Sequence, residues 1–129
     1  MRVLLDTNTF LWYIRGDERL SQVALKTIEN PNNDVLISTV SLWEMAIKIN
    51  IGKLKFDFSW SELLKKIAEN DFTLLEVFPT HIEPLLNLPL HHRDPFDRLL
   101  VAQAMIEGMP ILSSDEILGL YPVQWIPAQ

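Results

Sequence analysis

Four acidic residues, Asp6, Glu44, Asp97 and Asp115, stand where chemistry is possible. Each reads as lying at the end of an apolar strand or near the start of a helix. Carboxylates this far apart in sequence converge if the strands beside them run parallel, because the carboxyl ends of such strands open on one crevice. Like charges brought together need a positive partner, and a divalent cation is the commonest. Such a set suits metal-assisted phosphodiester hydrolysis, with three or four acids around one ion or around a pair about 3.5–4 Å apart. There a metal-activated water attacks, and the ion neutralises charge developing on the phosphate oxygens.

Each acid also has a local reading. Asp6 suits the N-cap of a first helix. Ser41-x-x-Glu44 has capping-box spacing, and Glu44 to Lys48 is an i,i+4 ion pair in the better orientation. In Asp94-Pro95-Phe96-Asp97 the first acid suits the N-cap before a proline, which leaves Asp97 without a necessary structural duty. Asp115 can cap the short segment Glu116 to Leu120. What favours a shared site is the joint placement of all four. Asn8 and Ser113 are placed to hydrogen-bond a carboxylate, a water or a phosphate, or to bond locally within their turns. Lys48, Lys53 and Arg98 are candidate phosphate contacts or solvated charges. His91 and His92 read as a solvated loop rather than as ligands, and His81 as a surface residue.

The elements that must position these groups follow from apolar patterning. Arg2-Val3-Leu4-Leu5 reads as a short buried strand, followed by a helix through Phe10-Leu11-Trp12-Tyr13-Ile14 to Gly16. Those five bulky residues read as mostly core, with some left to meet a partner. Ser21 opens a second helix that stops at Asn30-Pro31-Asn32-Asn33, and Val35-Leu36-Ile37 is a second strand. Ser38 or Thr39 starts the helix bearing Glu44, with Gly52 as its stop. Ser59-x-x-Glu62 opens another helix, Phe72 to Phe78 is a third strand, and Pro79 to Leu88 a short helix. A helix from Pro95 to about Glu107, a strand Ile111-Leu112 and a short strand Val123 to Ile126 complete the chain. Alternating strands and helices predict a single α/β domain over residues 1–129, with a mostly parallel sheet of four to five strands and right-handed crossovers.

Composition narrows the class. The chain has 129 residues, 48% of them hydrophobic, with no cysteine, so every metal donor must be oxygen or imidazole. The apolar N-terminus is interrupted by Arg2 and Asp6 and fails as a signal peptide, and no run reaches the ~18 apolar residues of a membrane span. A cytoplasmic protein with no membrane association is expected. The net charge of −6 is unusual for a phosphate binder. It is softened by the grouping of Lys48, Lys53, Lys55, Lys65 and Lys66, and a bound cation would offset part of it.

Taken in order, Leu4-Leu5-Asp6-Thr7-Asn8, Ser41-Leu42-Trp43-Glu44-Met45-Ala46-Ile47-Lys48, Gly52-Lys53-Leu54, His92-Arg93-Asp94-Pro95-Phe96-Asp97-Arg98-Leu99-Leu100-Val101-Ala102-Gln103-Ala104 and Ser113-Ser114-Asp115 resemble a PIN domain. The likeness is to the VapC-type ribonuclease toxins of type II toxin-antitoxin modules, and it spans nearly the whole chain. It implies a three-layer α/β/α fold, an acidic site of Asp6, Glu44, Asp97 and Asp115 that binds Mg²⁺ or Mn²⁺, and cleavage of RNA. It also implies a homodimer and a cognate antitoxin that obstructs the site. Similar chains often carry His where Asn8 stands and Thr where Ser113 stands, and Asp94 matches a recurrent extra acid beside the site. In the resulting hypothesis Asp6 and Asp97 hold the principal ion, and in-line attack leaves 5′-phosphate and 3′-hydroxyl ends. Two rivals stand beside it: a phosphatase with a strand-end Asp nucleophile, although the second acid it wants falls on Asn8, and a non-catalytic partner-binding module.

Overall fold

A computed structural model describes residues 1–129. Five strands, β1 (Arg2–Leu5), β2 (Asp34–Ser38), β3 (Thr73–Leu75), β4 (Ile111–Ser113) and β5 (Trp125–Pro127), form one sheet in the order β3-β2-β1-β4-β5, and every pairing is parallel. β1 lies at the centre, with Leu4 opposite Leu36 on one side and Ile111 on the other. The chain moves outward from β1 in both directions, so the switch point opens at the carboxyl ends of β1 and β4. Asp6 and Asp115 follow those two strands.

Val3, Leu4 and Leu5 are all buried, as expected of a strand covered on both faces rather than one. Val3, Leu5, Val35 and Ile37 pack against Phe10 of α1 (Thr7–Arg15), Ala24 and Ile28 of α2 (Gln22–Glu29), and Leu63 and Ile67 of α4 (Trp60–Glu69). Leu4, Leu36 and Ile111 face the other way, onto Leu100, Val101 and Ala104 of α6 (Pro95–Glu107). The result is the three-layer arrangement. α3 (Thr39–Asn50) sits between the layers, sending Met45 into the first core and Val40 into the second.

Several boundaries differ from expectation. β3 covers only Thr73–Leu75 because it is an edge strand paired to β2 alone. The stretch after Pro79 is one α-helical turn, α5 (Pro79–Ile82), then a 3-10 turn over Glu83–Leu86. Pro84 has no N–H to continue an α-helical ladder. β5 is shifted to Trp125–Pro127, and its proline is tolerated on an outer strand. The block Phe10 to Ile14 is mostly core as read: Phe10 and Leu11 are buried, while Trp12, Tyr13 and Ile14 are half-buried against them. No helix is long and apolar enough to cross a membrane.

Candidate active site

β1 ends at Leu5, and Asp6 takes the extended conformation of an N-cap, its Oδ1 accepting from the Thr9 amide at 2.9 Å. Its other oxygen, Oδ2, accepts from the Ser113 hydroxyl at the end of β4. The cap reading of Asp6 therefore holds, and the same carboxylate is tied to the end of β4. Asp6 is only 4% exposed, and burial pushes its carboxyl above the ordinary range. The Ser113 and Thr9 hydrogen bonds oppose that push, and the neighbouring Glu44 charge adds to it.

Glu44 is positioned differently from the capping-box expectation. The N-cap of α3 is Ser38, whose hydroxyl accepts from the Val40 amide, so Ser41 lies inside the helix and Glu44 beyond its first turn. A turn deeper, the glutamate faces inward and is 4% exposed. Thr7, the residue after Asp6, donates its hydroxyl to Glu44 Oε1 at 2.6 Å and lies 2.9 Å from the Ser41 hydroxyl. Lys48 donates to Glu44 Oε2 at 2.6 Å, the i,i+4 pair expected from spacing.

Asp94 caps α6, accepting from the amides of Phe96 and Asp97, and Pro95 occupies the first helical position. This frees the Asp97 side chain, which points into the crevice. Its carboxyl is pushed up to about 8, first by burial and then by the charges of Asp94, Asp6, Glu44 and Asp115. The four predicted acids are thus close enough to repel one another through Asp97. Asp115 follows β4, donates its own amide N–H to Ser113 Oγ, and caps the 3-10 turn Glu116–Leu120 by accepting from the Ile117 amide. Ser113 therefore ties together Asp6 and the Asp115 backbone.

Other expectations need correction. His92 is not a solvated loop residue: its side chain keeps 12% exposure, Nδ1 lies 2.7 Å from the Tyr121 hydroxyl, and Nε2 lies 3.6 Å from Asp97 Oδ2. Donor atoms of His92, Asp97 and Asp115 all fall within 4.8 Å of one another. His81, read as surface, is fully buried, because its ring nitrogens meet the Phe78 amide and Glu107. Arg98 does not reach into the crevice. Its guanidinium donates to the Leu88 and Pro89 carbonyls and to Tyr121, bracing the loop ahead of α6. Lys48 stands at the edge of the site, already engaged by Glu44, and Lys53 is exposed on the turn after α3. Asn8 is exposed on the first turn of α1. Reading by residue type passed over Thr7 and Tyr121; a hydroxyl directly after a strand-end acid is a signal that could have found the first.

The donor set suits a hard divalent cation: several carboxylate oxygens converge, burial and then acidic neighbours disfavour the charged form of Asp97, and Lys48 is the only lysine or arginine paired to any of the four acids. Comparison with known proteins agrees with this geometry. The family model described as PIN domain matches residues 3–122. Ribonuclease VapC22 of Mycobacterium tuberculosis is 26% identical over 117 residues, covering 90% of this chain and 88% of that protein. VapBC2 from Rickettsia felis, solved bound to a DNA fragment from its promoter, superposes with a TM-score of 0.73 at 16% identity over 100% of both chains. VapBC-1 from nontypeable Haemophilus influenzae gives 0.68 at 16% identity over 98% of each.

Proposed function

The chain belongs to the PIN domain family, and from that membership we propose that it is a metal-dependent endoribonuclease, the toxin of a toxin-antitoxin pair. One observation carries the metal dependence: donor atoms of His92, Asp97 and Asp115 lie within 4.8 Å of one another, and burial together with the charges of Asp94, Asp6, Glu44 and Asp115 raises the Asp97 carboxyl. A crevice that resists holding all its negative charge gains most from a cation. The similarity to a ribonuclease over 90% of the chain supports RNA as the substrate. The similarity in fold to two VapBC structures is in keeping with an antitoxin partner. All of the proposed machinery lies in one domain, residues 1–129, which works as a homodimer in the cytoplasm.

Asp6, Glu44, Asp97 and Asp115 would hold Mg²⁺ or Mn²⁺, with Asp6 and Asp97 as the principal donors. Bound there, the cation supplies Lewis acidity, activating water and screening the phosphate. The protein's own part is orientation. Ser113 and the Thr9 amide fix both oxygens of Asp6, and Thr7 and Lys48 fix both oxygens of Glu44. Asp97 sits in the first turn of α6, where the helix dipole favours its charged form once the repulsion is relieved. Asp94 and Ser113 serve as supports, and Asn8 is free to meet RNA from the exposed side of α1. Lys48 offers a positive charge at the rim, whereas Arg98 contributes by holding its loop.

The strand-end phosphatase reading is weakened by the same geometry, since both Asp6 oxygens already accept hydrogen bonds and burial favours the neutral carboxyl. The deciding experiment incubates purified protein with total RNA, with Mg²⁺ or with chelator, beside Asp6→Asn and Asp97→Asn. Discrete fragments with 5′-phosphate ends, lost with chelator and in both variants, are expected. Metal binding without RNA turnover would instead identify a partner-binding module.

A further inference from the structure

Among buried side-chain nitrogen and oxygen atoms, His92 Nε2 alone has no hydrogen-bond partner. An orphaned buried polar atom costs stability unless something occupies its lone pair or takes its proton. It faces two carboxylates, 3.6 Å from Asp97 Oδ2 and within 4.8 Å of a donor atom of Asp115. That spacing is too long for a hydrogen bond. It does suit two donors sharing an ion: ligand atoms each about 2.1 Å from one cation lie about 3 Å apart at a right angle and about 4.2 Å apart when opposed.

The other ring nitrogen is arranged to match. A ligating histidine usually donates its second N–H to an oxygen that fixes its tautomer. Nδ1 of His92 lies 2.7 Å from the Tyr121 hydroxyl, and Tyr121 is buried and held by Arg98 and by the His92 amide. A cation between the acids would select the tautomer in which Nδ1 carries the proton, facing Tyr121, and the Nε2 lone pair faces Asp97 and Asp115.

We propose that His92 is a metal ligand, its Nε2 joining one oxygen each of Asp97 and Asp115 in a cation position that takes Mn²⁺ in preference to Mg²⁺. Imidazole favours transition cations, whereas a site of oxygen donors alone suits Mg²⁺, Ca²⁺ or Mn²⁺. The inference rests on the acidic cluster being a cation site, not on RNA being the substrate.

The test uses Mn²⁺ itself, with the whole chain and no RNA. Electron spin echo modulation of the bound ion should show coupling to a directly bound ¹⁴N nucleus. That coupling should vanish in His92→Ala and in His92→Gln, which offers only an amide oxygen, and persist in His91→Ala. Mn²⁺ affinity should fall by about tenfold or more in His92→Ala. Mg²⁺ should then displace Mn²⁺ from the variant at lower concentration than from the parent. Thermal melts of both His92 variants separate lost ligation from lost folding, the glutamine variant being the milder change. Failure of Mn²⁺ to bind, bound Mn²⁺ without nitrogen coupling, or coupling that survives in a folded His92 variant would each overturn the assignment. RNA cleavage measured separately keeps the two readings apart. Cleavage without nitrogen coupling sinks only the role of His92, and coupling without cleavage sinks only the nuclease reading.

Discussion

The molecule gathers two polar clusters at opposite ends of α6, and they are built on contrary principles. Near its C-terminus, Ser38 donates to Gln103, Gln103 reaches the Glu76 carbonyl, the buried His81 ring meets Glu107, and Arg2 pairs with the same glutamate at 3.0 Å. Opposite charges meet there and nearly every atom has a partner. His81 and Arg2 hold the Glu107 carboxyl below its ordinary range. Near the N-terminus of α6, Asp97 is pushed up to about 8, first by burial and then by four acids of its own sign. A satisfied network rigidifies a fold, whereas an unsatisfied one spends stability to keep a site ready. The difference teaches that burial alone does not mark function; the sign of the unmet charge does.

The sharpest way to break this contrast is to neutralise one member of each cluster. Asp97→Asn should lower metal-dependent RNA cleavage on the order of a thousandfold, as loss of electrostatic groups at reacting centres does. The metal-free variant should melt no lower than the parent, because an amide replaces a carboxyl whose ionisation burial and its acidic neighbours oppose. If activity survives, or if the melt drops by many degrees, the acids are structural and the contrast collapses. His81→Ala should do the reverse. It leaves a cavity and takes the partner from the Phe78 amide and from one Glu107 oxygen, the other staying on Arg2, costing about 2–4 kcal/mol in chemical denaturation, while activity per folded molecule stays near that of the parent.

How much of this was readable beforehand depended on how local each signal was. The strand-acid-helix units, the caps at Asp6, Ser21, Ser59, Asp94 and Asp115, and the Glu44–Lys48 pair all involve neighbours a few residues apart. The parallel sheet follows from the alternation of elements. What failed was long-range. His81 is buried by a partner 26 residues away, and His92 is oriented by a tyrosine 29 residues away, so residue type and a polar loop gave both a solvated reading. The helix bearing Glu44 starts at Ser38 as read, and only the Ser41-x-x-Glu44 capping box fails, because Ser38 at the end of β2 takes the cap and leaves Ser41 inside the helix.

The two clusters should also respond oppositely to pH, and metal-free melts can read this. For Asp97 the folded carboxyl titrates near 8 and the unfolded one near 3.8, so the folded state binds the extra proton between those values. Stability should therefore be greatest at the acid end of that window and fall as pH rises through it, lowering the melting temperature. Asp97→Asn should flatten that slope, and a saturating divalent cation should offset the loss. For Glu107 the sign reverses. Its folded value is lowered, so its contribution is present above the unfolded value of 4.5 and is lost as pH falls through the folded one. Identical pH profiles for the parent and Asp97→Asn would remove the charge crowding from the account.

The smallest effect belongs to Arg98, and it separates a support from a contact. The guanidinium holds the Leu88 and Pro89 carbonyls at 3.0 and 2.8 Å and touches Tyr121, which in turn meets His92. Arg98→Lys keeps the charge but cannot span those carbonyls with one planar fork. A phosphate contact would tolerate that exchange at low salt, because a lysine still binds phosphate as a point charge. A loop brace would not. The expected result is a loss of about 1 kcal/mol in stability, with RNA affinity at low salt unchanged and its salt dependence the same as the parent's. Unchanged stability in Arg98→Lys, together with a salt slope shallower by about one phosphate contact in the uncharged Arg98→Gln, would restore Arg98 to the RNA surface and shift part of the polar wall of the site from scaffold to substrate.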